Sequence, residues 1–412
     1  MNSKYTKGQQ FVNFMQKIVL LHIALFFMRW FYYLIEKLSR KDKRIVLFFL
    51  TEKFFFDNSK YLFEYMREKN DFNSILFTPH RDLYQQLKQK FPGEVVYAWS
   101  LKGFLLFLKS KQVILSYGIS AAAFFPYYLH EKCKNIIYLG HGTPMKKMAL
   151  QTPVWRKYGK QHQLQKYTYM AACSPLEQII HGAGFNIDMN HVWVSGLPRN
   201  DYLLKEFNLS PELLLRNPFL DRKIILYAPT WREEGHKTQF FPFEDFDAGK
   251  LSAFLEKEDA YILVRGHKED IKRKSIEKHK DFFAIDRVIK ADQDRFPDVY
   301  QLLPFVDILV TDYSSLWIDY LLLDRPIVYL PYDLEEYRQY KGFFINFEEN
   351  TPGAKPTTQK EFLIHLQRYI AKPQTHAKWR KKIRDLYHEY QEAGSCERVY
   401  KKIKTEVMNS KE

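Results

Sequence analysis

Short apolar runs recur along this chain, each followed by a longer amphipathic stretch. From residue 44 the runs Arg44–Leu50, Ser74–Thr78, Glu94–Ala98, Gln112–Ser116, Asn135–Leu139, Tyr169–Cys173 and His191–Ser195 read as strands. Runs this continuously apolar, rich in β-branched and aromatic residues, suit strands covered on both faces. Between them Ser59–Asn70, Arg81–Lys90 and Leu101–Lys109 repeat apolar positions at helical spacing. A second series opens at Arg222, with strands predicted at Lys223–Tyr227, Tyr261–Val264, Phe282–Ile285, Asp307–Val310 and Ile327–Leu330. Its helices are predicted at Asp247–Lys257, Val299–Leu303 and Leu316–Leu323. The breakers Ser210-Pro211 and Asn217-Pro218 place a boundary within Leu203–Asp221. Thr358–Met408 reads as two or three polar helices. The expectation is an α/β chain with two Rossmann-type parallel-sheet domains, residues 44–205 and 206–357, followed by helices over 358–412.

Residues 11–38 depart from this pattern. Their apolar runs are too short to cross a bilayer comfortably. His22, Arg29 and Glu36 recur at a spacing of seven and form a narrow polar stripe opposite a wide aromatic and aliphatic face. This predicts a membrane-associated helix within residues 1–43, lying in the interface with Trp30, Tyr32 and Tyr33 at headgroup depth. Lys37, Arg40, Lys41, Lys43 and Arg44 would face anionic lipid. A helix docked on the protein or on a partner protomer, and a tilted span, stay open. The segment lacks the small-residue cleavage site of a signal peptide.

Lys and Arg number 63 against 48 Asp and Glu, a formal net charge of +15. That favours anionic partners: phosphorylated substrates, lipid headgroups or nucleic acid. The three cysteines, Cys133, Cys173 and Cys396, have neither disulfide-framework nor metal-ligand spacing. With no HExxH and no GxxxxGK[ST] pattern either, no metal or cofactor is predicted.

Candidate chemistry sits just beyond strand ends, where ligands bind in open α/β sheets. Gly140-His-Gly-Thr-Pro144 follows one strand, and glycines flank His141. Pro144 is expected to open a helix capped by Thr143, with Lys146 and Lys147 adding positive charge. An imidazole there can take a proton near neutral pH. Arg265-Gly-His267 follows a strand of the second series, and its guanidinium suits phosphate oxygens. In Thr311-Asp-Tyr-Ser-Ser315, Ser314 and Ser315 can cap the next helix and offer hydroxyls to a pyrophosphate. Asp312 and Asp319 are candidate contacts to ribose, glycerol or a catalytic partner. Ala228-Pro-Thr-Trp-Arg232 and Gly196-Leu-Pro-Arg-Asn-Asp201 should also face the cleft, with Arg199 and Arg232 available to phosphate.

Together these segments resemble the CDP-glycerol glycerophosphotransferase family, the primases and polymerases of teichoic acid and related capsule polymers. The His-Gly-Thr-Pro-x-Lys motif corresponds to His141–Lys146, Pro-Arg-Asn-Asp to Pro198–Asp201, and Ala-Pro-Thr-Trp-Arg to Ala228–Arg232. The second histidine motif corresponds to Arg265 and His267, and Thr-Asp-Tyr-Ser-Ser with its downstream Asp to Thr311–Ser315 and Asp319. Tyr332–Tyr337 and Gly342–Phe344 look like later family segments. Lys268 stands where members often carry Pro, and residues 44–134 match in α/β pattern alone.

Two Rossmann-type domains facing a cleft are, by analogy, a GT-B-like architecture. The family resemblance implies transfer of glycerol phosphate from CDP-glycerol to a hydroxyl of a lipid-linked glycan or polyol-phosphate acceptor, releasing CMP. Under it His141 is the base, and His267 with Arg265 stabilises developing phosphate charge. Ser314 and Ser315 hold the donor phosphates. Thr143, Lys146, Arg199, Asn200, Asp201, Thr230, Arg232, Asp312 and Asp319 complete the substrate-binding set. The work would take place at the cytoplasmic face of the cell membrane, with no nucleic acid as partner. A CDP-ribitol donor, a nucleotide-sugar donor and an oligomer stay open.

Overall fold

The computed structural model describes residues 27, 30, 31, 33–118, 127, 129–152, 166–205, 217–232, 238–266 and 280–407. These residues contain two sheets in which every strand pair is parallel. The first is seven-stranded, in the order β3-β2-β1-β4-β5-β6-β7. Its strands are β1 (Asp42–Phe49), β2 (Asn73–Thr78), β3 (Val95–Tyr97), β4 (Ser110–Leu115), β5 (Asn135–Tyr138), β6 (Tyr169–Ala172) and β7 (Val192–Val194). The second is five-stranded, β10-β9-β8-β11-β12. It comprises β8 (Lys223–Ala228), β9 (Ala260–Val264), β10 (Val288–Lys290), β11 (Ile308–Thr311) and β12 (Ile327–Tyr329).

Strand β1 shows why these runs form buried strands. Its residues Ile45-Val-Leu-Phe-Phe49 alternate between the two faces of the sheet. Val46 and Phe48 enter a core shared with Leu226 and Leu309 of the second sheet, so the two sheets are joined by continuous apolar packing. Ile45, Leu47 and Phe49 enter a separate core on the opposite face. Helices α1 (Asp57–Lys69), α2 (Arg81–Lys90) and α3 (Leu101–Lys109) follow the first strands, close to their predicted spans. In each sheet the strand order reverses beside its first strand, between β1 and β4 and between β8 and β11. Loops leaving such neighbours diverge to opposite faces and open a crevice at the carboxyl ends.

One predicted strand is corrected. Phe282–Ile285 is the end of helix α7 (Lys280–Phe283) and a following turn, and the edge strand is Val288–Lys290 instead. Phe282 is buried and stacks on Phe241 with ring centroids 4.9 Å apart, so this run covers the sheet rather than joining it. Val299–Leu303 is likewise not one helix but the 3-10 turns Val299–Gln301 and Leu303–Phe305.

The predicted polar tail forms α11 (Gln359–Ala371), α12 (Ala377–Tyr387) and α13 (Ser395–Lys402). Helix α13 returns to the first sheet, where Tyr400 meets Phe72 edge to face at 6.1 Å.

At the N-terminus residues 33–38 are helical, while residues 11–26 and Tyr32 lie outside the described residues. No helix among the described residues is long and apolar enough to cross a membrane. Glu36, expected on an outward polar stripe, is buried and pairs with Lys134 at 2.8 Å and Lys41 at 2.9 Å. Burial pushes the Lys134 ammonium down to about 7 against the opposing pull of Glu36.

Candidate active site

A cleft of about 840 Å³ lies at the carboxyl ends of both sheets, lined by residues of each. The first sheet contributes Phe54, Phe56 and Asp57 after β1, Tyr117 after β4, the loop Gly140–Ala149 after β5 and Arg199 after β7. The second contributes Pro229 and Thr230 after β8, Arg265 and Gly266 after β9, and Ser314 and Ser315 after β11. The two order reversals therefore supply opposite walls of one space.

His141 faces this space. Its ring stacks on Tyr117, with centroids 4.9 Å apart and planes at 15°. Its Nδ1 lies 3.2 Å from the Tyr138 hydroxyl. Solvent reaches the ring from the cleft, yet enclosure by the walls lowers its pKa below the ordinary histidine value. Asp57 opposes that shift, and Arg199 and Lys146 add to it. Next to it Gly142 sits at φ +148°, and a Cβ there would come within 2.3 Å of Ser315 Oγ and 3.3 Å of Arg199 Nη2. Only glycine lets this loop run so closely over the second sheet's turn.

The loop continues without the predicted helix. The Lys147 amide donates to the Gly342 carbonyl at 3.2 Å, and the Phe344 amide to the Met145 carbonyl at 2.9 Å. Extended pairing of this kind is incompatible with a helical turn at Pro144. Thr143 is thus no helix cap; it is buried and donates to Glu177 Oε2 at 3.1 Å.

Arg199 is buried between two carboxylates. Nη1 donates to Asp57 Oδ1 at 2.8 Å and Nη2 to Asp319 Oδ2 at 2.6 Å. Its guanidinium carbon lies 4.5 Å from the Tyr300 ring centroid, and the Tyr300 hydroxyl donates to Asp319 at 2.5 Å. Burial works against the charge, but Tyr300, Asp319 and Asp57 outweigh it and hold Arg199 protonated. The charge is already neutralised, so Arg199 frames the wall beneath His141 more than it offers a free cation to phosphate.

On the facing wall, Arg265 Nη1 donates to the carbonyls of Ala291 at 3.1 Å, Asp292 at 3.2 Å, and Phe296. Burial lowers its pKa to about 10, still well above neutral, so the fixed guanidinium stays cationic. Thr230 Oγ1 is buried with no hydrogen-bond partner among the described residues. Ser314 Oγ accepts the Leu316 amide at 3.3 Å at the start of α8 (Leu316–Tyr320), whereas the Ser315 side chain caps nothing. No group of His, Cys, Asp and Glu among the described residues could hold a metal.

The family model for CDP-glycerol:poly(glycerophosphate) glycerophosphotransferase matches residues 30–405. The chain belongs to that family. A teichoic acid glycerol-phosphate transferase of Staphylococcus aureus is 29% identical over 336 residues, covering 77% of this chain and 82% of the relative. A teichoic acid poly(glycerol phosphate) polymerase of Bacillus spizizenii is 29% identical over 355 residues, covering 79% and 84%. A poly(ribitol-phosphate) polymerase of the same organism is 31% identical over 220 residues, which are 52% of this chain and 34% of the longer relative. Among solved structures, the wall teichoic acid polymerase TagF soaked with CDPG superposes with a TM-score of 0.73 at 22% identity, covering 98% of this chain and 99% of that one.

In this glycerophosphotransferase the cleft gathers His141, Thr143, Lys146, Arg199, Thr230, Arg265, Ser314 and Ser315. His267 lies outside the described residues, although Gly266 before it lines the cleft. Five expected substrate contacts are placed behind the wall instead. Asp201 caps α13, accepting the amides of Gly394 at 2.9 Å, Ser395 at 2.7 Å and Cys396 at 2.8 Å. Asn200 and Asp319 are buried and bonded to each other at 3.3 Å. Asp312 accepts the amides of Thr230 at 2.7 Å and Tyr313 at 2.6 Å. Arg232 grips Asp333 with two bonds of 2.7 and 2.9 Å, donates to the Thr230 carbonyl at 2.6 Å, and pairs with Asp312 at 3.0 Å. Its role is to brace the turn that presents Thr230. Arg232→Lys keeps the charge but not the planar fork. It should cost about 1–3 kcal/mol in chemical denaturation, with the donor KM little changed.

Sequence reasoning missed Asp57, Tyr117, Tyr138 and Tyr300. Asp57 and Tyr117 follow the two strands at the order reversal, a signal that exists only once strand order is known. No sequence signal marks Tyr300.

Proposed function

We propose that this glycerophosphotransferase moves glycerol phosphate from CDP-glycerol to a hydroxyl of a lipid-linked acceptor in teichoic acid synthesis. The proposed organisation is GT-B-like: an acceptor domain over residues 44–205, a donor domain over 206–357 and helices over 358–412. The observation that carries the reading is one imidazole, His141, sharing a cleft with Arg265, Thr230, Ser314 and Ser315 on the facing wall. The acceptor hydroxyl gives its proton to His141, and its oxygen attacks the phosphorus bearing glycerol. The bond from that phosphorus to the bridging oxygen breaks, and CMP leaves with the bond's electron pair. Ser314 and Ser315 hold the donor phosphates, and Arg265, Lys146 and His267 offset the charge that builds on them. Positioning and preorganised charge supply most of the acceleration in such transfers.

The test is acceptor-dependent CMP release from CDP-glycerol in detergent, followed by product mass. A gain of glycerol-phosphate units supports the reading, and their number separates a primase from a polymerase. CMP release only from CDP-ribitol, a donor suggested by the ribitol-phosphate relatives, would overturn the donor assignment. UDP or GDP release from a nucleotide sugar would overturn the reaction class.

We further propose that the protein works as a peripheral or monotopic enzyme at the cytoplasmic face of the membrane. With Glu36 turned inward, large apolar side chains nearby are exposed alongside Lys37 and Arg40: Phe27 is 63%, Trp30 58%, Phe31 59% and Leu38 86% exposed. That polarity is inverted relative to a water-facing helix and suits a lipid interface beside Lys37 and Arg40. Replacing Trp30 and Phe31 with Ser in the full chain should abolish flotation with anionic vesicles. Flotation equal to wild type would remove the assignment.

A further inference from the structure

The His141 ring is enclosed by residues that lie outside the motif segments. Each side of the imidazole is set by a different element. Tyr117, after β4, lies parallel to one face at 4.9 Å and 15°. Tyr138, the last residue of β5, places its hydroxyl 3.2 Å from Nδ1. Tyr138 is itself buried and clamped, stacked on Tyr167 at 4.7 Å and tilted against Phe185 at 6.1 Å. Its hydroxyl therefore cannot swing away from the imidazole without repacking the core under the cleft.

We propose that Tyr138 is the positioning residue for the base: its phenolic oxygen accepts the Nδ1 proton of His141 and leaves the Nε2 lone pair facing the acceptor hydroxyl. This rests on the reading of His141 as the base. An imidazole has one donor and one acceptor nitrogen when neutral, and the partner of one nitrogen decides which is free. A hydroxyl held at Nδ1 by a packed strand serves as an orienter, with Tyr117 stopping rotation of the ring out of line. When Nε2 takes the acceptor proton, the Nδ1–H···O bond becomes charge-assisted and stronger. Tyr138 thus favours the imidazolium that forms as the acceptor oxygen attacks. The other groups that act on the ring are Asp57 from α1, Arg199 after β7, Lys146 on the same loop and the Ser116 backbone, and Tyr138→Phe leaves each of these residues in place.

Tyr138→Phe deletes an acceptor that stabilises the protonated ring, so the acid limb of kcat/KM should move to lower pH. At the same time kcat should fall by roughly tenfold to a hundredfold, the scale on which hydrogen-bond partners that orient metal-bound histidines act. The donor KM should hold, since the phosphate-facing residues are untouched. Loss of kcat with an unmoved acid limb would overturn the proposal, because packing damage alone does not shift that limb. A second measurement needs no variant activity: nitrogen-15 spectra of histidine-labelled wild type, with His141 assigned by its disappearance in His141→Asn. A neutral Nδ1–H tautomer supports the proposal, and an Nε2–H tautomer overturns it. If His141→Asn instead retains wild-type turnover, the base reading itself fails, an outcome distinct from either result at Tyr138.

Discussion

His141→Asn is expected to reduce kcat by roughly a hundredfold to ten-thousandfold, the span of general-base catalysis by a positioned side chain. Asparagine approximates the shape of the ring's first atoms but cannot take a proton from the acceptor. Donor binding should survive, because Arg265, Thr230, Ser314 and Ser315 stand on the other wall. The pH dependence follows from the lowered pKa of the ring. His141 works as a base only when neutral, so wild-type kcat/KM should fall only as the pH drops through that depressed value. The acid limb should therefore lie below about 6.5, the ordinary histidine value, and the activity should be level across neutral pH. Isothermal titration with CDP-glycerol separates the two effects: a variant that has lost both turnover and donor affinity would place His141 in donor binding rather than proton transfer.

The legible parts of this protein are those written in local pattern. The run Ile45–Phe49 announces a strand buried on both faces because it offers no polar side at a period of two. Gly140-His-Gly142 announces a cleft-facing turn because two glycines flank a titratable ring, and both adopt positive φ. What local pattern hides is the partner of each charge. Arg232 and Arg265 look alike in sequence, each an arginine beyond a strand end. Arg232 meets Asp333, about a hundred residues away, at 2.7 Å, while Arg265 is held by main-chain carbonyls at the cleft wall. Asp201 stands in a motif with Arg199, yet its carboxylate meets the amides that begin α13 near the far end of the chain. Phe282–Ile285 fails differently. A short apolar run is equally consistent with a strand in a sheet and a helix end lying on one, and only the aromatic packing around Phe241 decides.

Asp319→Ala should destabilise the fold by about 3–5 kcal/mol, the usual consequence of removing one partner from a buried ion pair. Asp319 is fully buried and receives Arg199 at 2.6 Å, Tyr300 at 2.5 Å and Asn200 at 3.3 Å. Its loss leaves the Arg199 guanidinium, 4% exposed, with Asp57 as its remaining carboxylate, and strands a tyrosine hydroxyl and an amide. The pair also ties the turn after β7 of the first sheet to α8 of the second, as Lys60 and Asp298 do at 3.0 Å. Urea unfolding should show a lower midpoint, and Asp319→Asn a smaller drop, because its amide oxygen still accepts. Arg199→Leu combined with Asp319→Leu should not recover the loss, since it leaves the buried Asp57 carboxylate without its guanidinium. Activity should fall further than stability alone explains, because Arg199 Nη2 lies 3.3 Å from where a Cβ on Gly142 would sit and helps fix the loop that carries His141. Unchanged stability in Asp319→Ala with a raised donor KM would contradict this account and return Asp319 to the substrate contacts that its motif suggests.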